Sequence, residues 1–133
     1  MTGEKDLSTL INNMEPLLCS KYYVFCCLSA AERSLVESLS PLGTFTEREG
    51  LTVIVEESTA QRAGLGYEGV FRCITLNIHS SLEAVGLTAA VANALAKEGI
   101  SANVVAAYYH DHVFVPDEHA QSALKTLQAL TNL

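Results

Sequence analysis

Apolar positions along the chain alternate between helical and strand-like spacing. From Asp6 to Asn13, Leu7, Leu10 and Ile11 recur at helical spacing, and Asp6 is placed to cap them. Pro16 ends helical structure. Tyr22 to Leu28 is continuously apolar and rich in aromatics and Val, which predicts a buried strand. Ser29 with Glu32 makes a capping box, opening a helix through about Ser38 with Leu35, Val36 and Leu39 on its apolar face. Pro41 and Gly43 break it. Thr44–Arg48 and Leu51–Glu56 flank Glu49-Gly50 and read as a hairpin. A short helix is expected over Ser58–Ala63, and Gly64, Gly66 and Gly69 mark a linker.

The second half has a firmer pattern. Phe71–Ile78 alternates through Ile74, Leu76 and Ile78, as a strand does. Leu82, Val85, Ala89, Ala92, Leu95 and Ala96 then follow at helical spacing. Gly99 before Ile100 is a glycine C-terminal stop with an apolar contact beyond it. Ser101–Tyr109 and Val113–Val115 read as strands, with His110-Asp111 as the turn between them. Pro116 stops the last strand. Asp117 is expected to cap a helix bearing Ala120, Leu124, Leu127 and Leu130.

Each half therefore runs strand, helix, strand, strand, helix, one strand short of the ferredoxin-like βαββαβ unit. Phe71–Ile78 is placed to complete the first half while opening the second, and Leu17–Ser20 to return and complete the second. The expected fold is α+β: two ferredoxin-like halves, residues 1–65 and 66–133, with antiparallel sheets backed by helices on one face.

Composition narrows the function. Apolar residues make up 49% of the 133, enough to build a core and contrary to disorder. The net charge of −7, without a basic stripe, speaks against nucleic acid and anionic membrane surfaces as partners. No signal-peptide pattern opens the chain, and the longest apolar run is far short of the ~20 residues that cross a bilayer. Cys19, Cys26, Cys27 and Cys73 show no metal-knuckle or redox spacing, and three lie in apolar runs. A reducing, cytoplasmic setting is expected.

Chemistry is densest from His79 to Val105. Ser80 with Glu83 makes a capping box, which accounts for both residues. Gly86 fits that helix poorly, since Gly costs roughly 0.5–1 kcal/mol against Ala in a helix interior. The alternative begins the helix near Val85 and Gly86 and leaves Ser80–Ala84 as a shaped loop. A helix N-terminus suits a carboxylate, and carbonyls around Asn103–Val105 with the Asn103 side chain suit an ammonium group. His110 and His112, with His79, are the weak metal candidates; a polar turn is the favoured reading of the first two, since no fourth ligand lies nearby in sequence. Elbow, phosphate-loop and cofactor motifs are absent, so no cofactor is expected. Of Tyr22-Tyr23 and Tyr108-Tyr109, one ring of each pair is expected in the core. His119 is expected to face solvent.

The pieces "ITL", "HSSLEAVGLTA", "GIS-NVV" and "YYHDHVFVP" stand in order from Ile74 to Pro116, with "YYVFC" and "EREGLTVIVEE" in the first half. In these the chain resembles the ACT domains of aspartokinases and, more closely, small stand-alone tandem ACT-like proteins. The resemblance implies βαββαβ modules that pair side by side. It implies ligands, usually amino acids, held at the pair interface by the loop before the first helix and the start of the next strand. Carried over, the loop residues are Ser80, Ser81, Val85, Gly86 and Leu87, and the strand residues are Asn103 and Val104. Aspartokinases commonly carry Asp at the strand position, so Asn keeps the acceptor but loses the charge. Tyr108 and Tyr109 stand where those proteins tend to have Ser-Glu, which changes that wall. No kinase domain lies in these residues, so kinase activity is not implied. The expectation is a non-enzymatic sensing module that binds a small molecule and forms a homodimer or higher oligomer. The alternatives are a ligand-free protein-interaction module and a metal-dependent enzyme built on His79, His110 and His112.

Overall fold

The computed structural model describes residues 6–78 and 85–131. In chain order the elements are α1 (Leu7–Asn12), β1 (Pro16–Leu18), β2 (Tyr23–Leu28), a 3-10 stretch (Ala30–Leu35), α2 (Val36–Leu39), β3 (Gly43–Thr46), β4 (Leu51–Glu56) and α3 (Glu57–Ala63). Then come β5 (Phe71–Leu76), α4 (Leu87–Lys97), β6 (Asn103–Ala106), β7 (Asp111–Pro116), a 3-10 turn (Asp117–His119) and α5 (Ala120–Thr131). They fall into two compact units. Lys21–Phe71 forms one; residues up to Ser20 join Arg72 onward in the other. The α+β expectation holds, with antiparallel strands and helices in each unit.

In the Lys21–Phe71 unit the strand order is β3-β4-β2. β2 and β4 pair antiparallel from Tyr23↔Glu56 to Leu28↔Leu51. Alternation puts Val24, Cys26, Leu28, Val53 and Val55 in one buried cluster with Leu39, Ala60 and Leu65. The Ser29–Glu32 box forms, with the Ser29 N–H donating to Glu32 Oε1 at 3.0 Å. It opens a 3-10 stretch, and only one α-helical turn follows before Ser40 at φ +46°. The hairpin also forms, but β3 stops at Thr46 because Glu47 and Gly50 exchange backbone bonds to close the loop. A Cβ at Gly50 would stand 2.6 Å from the Leu28 carbonyl oxygen, so no other residue fits there. Gly64, expected in a linker, ends α3 at φ +70°. Phe71 bridges to Tyr23 and meets Phe25 edge-on at 5.3 Å between ring centres.

In the other unit β1 and β7 both border β5, and β6 lies outside β7. β1 is the returning strand expected from Leu17–Ser20: it pairs antiparallel with β5, Pro16↔Leu76 to Leu18↔Ile74. Ile74, Leu76, Val113 and Val115 face a core completed by Leu10 and Met14, by Leu87, Val91 and Leu95 of α4, and by Ala123 and Leu127 of α5. Asp6 caps α1, accepting from the Thr9 N–H at 3.0 Å. β5 ends two residues early, because the Ile78 N–H turns back onto the Leu76 carbonyl. Gly99 at φ +72° ends α4, and the Ile100 N–H bonds the Leu95 carbonyl as Ile100 enters the core.

Three expectations need correction here. The turn between β6 and β7 is Ala107–His110, closed by Ala107 N–H to the His110 carbonyl, so Asp111 belongs to the strand. Tyr108 and Tyr109 sit at the turn, 62% and 55% exposed, and neither is core; of the other pair Tyr23 is buried and Tyr22 exposed. Asp117 does not cap α5; it lies in the 3-10 turn, 3.6 Å from Arg72 Nη1.

Candidate functional site at the start of helix α4

α4 begins at Leu87, not at a serine-capped position near Ser80. Gly86 holds the N-cap position at φ +100°, ψ −19°, and its carbonyl accepts the first helical bond from the Ala90 N–H at 2.8 Å. Among the described residues no side chain caps this end. Gly86 itself offers the first-turn N–H groups and the positive end of the helix dipole no side-chain acceptor. The geometry requires glycine twice. The positive φ is costly for any residue with a Cβ, and that Cβ would lie 3.1 Å from Leu7 Cδ2 of α1. The close neighbour that Gly86 admits is therefore the chain's own Leu7.

The other site residues divide. Leu87 is 3% exposed and anchors α4 in the core, whereas Val85 is 83% exposed. Ser80 and Ser81 lie outside the described residues, as does His79. Asn103 opens β6 opposite Phe114 and is exposed; Val104 faces inward against the core that holds Leu87. Asn103 and Gly86 stand at opposite ends of this unit. α4 is roughly 16 Å long, and Ile100 holds the chain at its far end before β6 starts. The β6–β7 turn, in contrast, lies at the end where β5 finishes, since His110 Nδ1 donates to the Ile78 carbonyl at 3.2 Å. Tyr108 therefore shares the α4-start end of the sheet with Gly86, packed edge-on against Tyr109 at 4.9 Å, and Asn103 does not.

The histidines are tied into the sheet. His112 Nδ1 lies 2.9 Å from Thr75 Oγ1. Burial lowers its pKa, His110 lowers it further, and Asp111 opposes both. No group of three metal-ligating side chains occurs among the described residues. His119 is half-buried, and its Nδ1 is out of solvent with no hydrogen-bond partner among the described residues.

Sequence reasoning passed over the layer around Cys73. Cys73 Sγ lies 3.9 Å from Thr75 Oγ1, next in line to His112. Burial, with a smaller contribution from Cys19, pushes the Cys73 thiol up to about 11 against the lowering effect of Thr75. Arg72 donates from Nε and Nη2 to the Cys19 carbonyl at 3.2 and 2.9 Å while facing Asp117. The signal in sequence was a lone Arg within an apolar strand.

Among the described residues no helix is long and apolar enough to cross a membrane. Among curated proteins none matches the chain. A Vibrio cholerae protein of unknown function, described as a possible transport protein, is 50% identical; the match covers 96% of this chain and 97% of that one, with a TM-score of 0.85. The ligand-free regulatory subunit of aspartate kinase from Thermus thermophilus shares the fold at 14% identity, covering 86% and 95% of the two chains with a TM-score of 0.62. The regulatory subunit from Thermus flavus is similar, at 16% identity, coverage of 98% and 99%, and a TM-score of 0.59. ACT-domain family models match residues 2–72 and 68–129. Together they take in nearly the whole chain, which belongs to the ACT-domain family as two such domains in tandem.

Proposed function

We propose that this chain is a regulatory module that binds an amino acid where α4 begins, and that it does so between paired copies. The observation that carries the reading is the start of α4 at Leu87, with Gly86, which has no side chain, in the N-cap position. The first-turn N–H groups of an eleven-residue helix suit a carboxylate. Asn103 is exposed at the opposite end of the same unit, so a second copy is the route by which an Asn103 side chain meets that helix start. The ligand then binds the paired state better than the separated one, which is what regulation by a small molecule requires. β6 ends the strand order of its unit, and Val105 is exposed on it, consistent with a pairing edge.

Thermal melts against a panel of twenty amino acids test this. At least one member raises the Tm saturably in the wild type, and Asn103→Leu removes that rise without lowering the unliganded Tm. A rise unaffected by Asn103→Leu contradicts the assignment of Asn103, and no rise for any member contradicts amino-acid binding. The competing reading, a ligand-free pairing module, rests on Leu7 occupying the space beside Gly86.

A further inference from the structure

We propose that Cys19 and Cys73 form a reversible cross-strand disulfide that fastens β1 to β5. The β1–β5 ladder pairs Leu18 with Ile74, and the next pair along is Cys19 opposite Cys73. The Cys19 N–H donates to the Cys73 carbonyl at 2.9 Å, so the antiparallel pairing continues through these two residues. Side chains directly opposite each other share a sheet face, and in a hydrogen-bonded pair such as this the Cα atoms stand about 5.5 Å apart. That lies within the Cα range of disulfides, and a small approach of the two Cβ atoms at the end of β1 brings the sulfurs to bonding distance. The Cys19 backbone is also fixed on its other side, since its carbonyl accepts two bonds from the Arg72 guanidinium.

Access is divided between the partners. Cys73 is buried, and Cys19 is half-buried at the end of the short β1 strand. A low-molecular-weight disulfide, RSSR, is the oxidant. The Cys19 thiolate attacks one of its sulfurs, forming a Cys19–S–SR mixed disulfide and releasing RS⁻, which takes up the Cys19 proton. Cys73 loses its proton and displaces the second RS⁻, which becomes RSH. The balance is two protein thiols and RSSR giving one protein disulfide and two RSH, with two electrons passed to the small disulfide. The bond closes a loop that contains the whole Lys21–Phe71 unit and locks the strand that follows α1, the helix that carries Leu7. A tie of that length restricts the unfolded chain more than the native one.

The experiment treats the full native chain with glutathione disulfide and maps its peptides by mass spectrometry under non-reducing conditions. The expected product is about 2 Da lighter, keeps two of its four thiols, and contains one peptide pair joining Cys19 to Cys73. Its Tm rises by roughly 5–10 °C and returns to the starting value on reduction. Cys27→Ser retains the product, whereas Cys19→Ser and Cys73→Ser each abolish it. A stable mixed disulfide alone, a link through Cys26 or Cys27, or a link only between chains overturns the proposal.

Discussion

Leu7 Cδ2 of α1 lies 3.1 Å from the point where a Cβ on Gly86 would stand. The N-terminal helix and the start of α4 are thus fitted to each other through a missing side chain. Gly86 adopts φ +100°, so two separable penalties meet at one position.

Gly86→Ala is expected to destabilise the chain by about 1–3 kcal/mol, from backbone strain plus the Leu7 contact. Leu7→Ala in that background recovers only the contact part, giving a coupling of about 0.5–1 kcal/mol in a double-mutant cycle. Urea unfolding of the four proteins measures both quantities. Additive effects would show that Leu7 and Gly86 do not press on each other.

Arg72→Met leaves the Cys19 carbonyl without its two guanidinium bonds and Asp117 without its facing charge. With the Arg72 side chain only 14% exposed, the expected loss is about 2–4 kcal/mol in denaturant unfolding. Arg72→Lys restores the charge but not the fork, and recovers only part of the loss. Hydrogen exchange of the Cys19 amide should quicken in both variants.

The folded chain holds His112 below the ordinary histidine pKa, chiefly by burial and then by His110, against the pull of Asp111. A base whose pKa is depressed on folding binds fewer protons in the native state. The stability this contributes is complete above the unfolded pKa near 6.5 and is lost as pH falls through the folded value. Unfolding measured between pH 8 and 5 should therefore show stability declining below about pH 6.5. His112→Gln should flatten that decline while keeping a partner for Thr75. An unchanged slope in the variant would assign the pH dependence to other groups.

Local chemistry was legible wherever a single residue type decides the geometry. Asp6, the Ser29–Glu32 pair and Gly99 each do what their short-range bonds dictate. The return of the strand after Pro16 was legible too, because the second half lacked one strand and an apolar segment was left over. Errors arose where tertiary bonds outcompete local pattern. Asp117 sits beside Arg72 instead of capping α5, and two tyrosines with strong strand preference occupy a turn. Of the candidate site, the unusual role of Gly86 was readable from its cost in a helix. Its neighbour Leu7 was not, because the two are 79 positions apart in sequence. Asn103 shows the same limit, since sequence adjacency to α4 says nothing about which end of the sheet β6 starts from.

The sensing account is tested most directly by isothermal titration of the purified chain with each of the twenty amino acids to millimolar concentration, with sedimentation of the same samples. It predicts saturable heat for at least one, one ligand per helix start, and a shift toward the paired species as the ligand saturates. Absence of heat for every amino acid, with an association state that does not change, would contradict it.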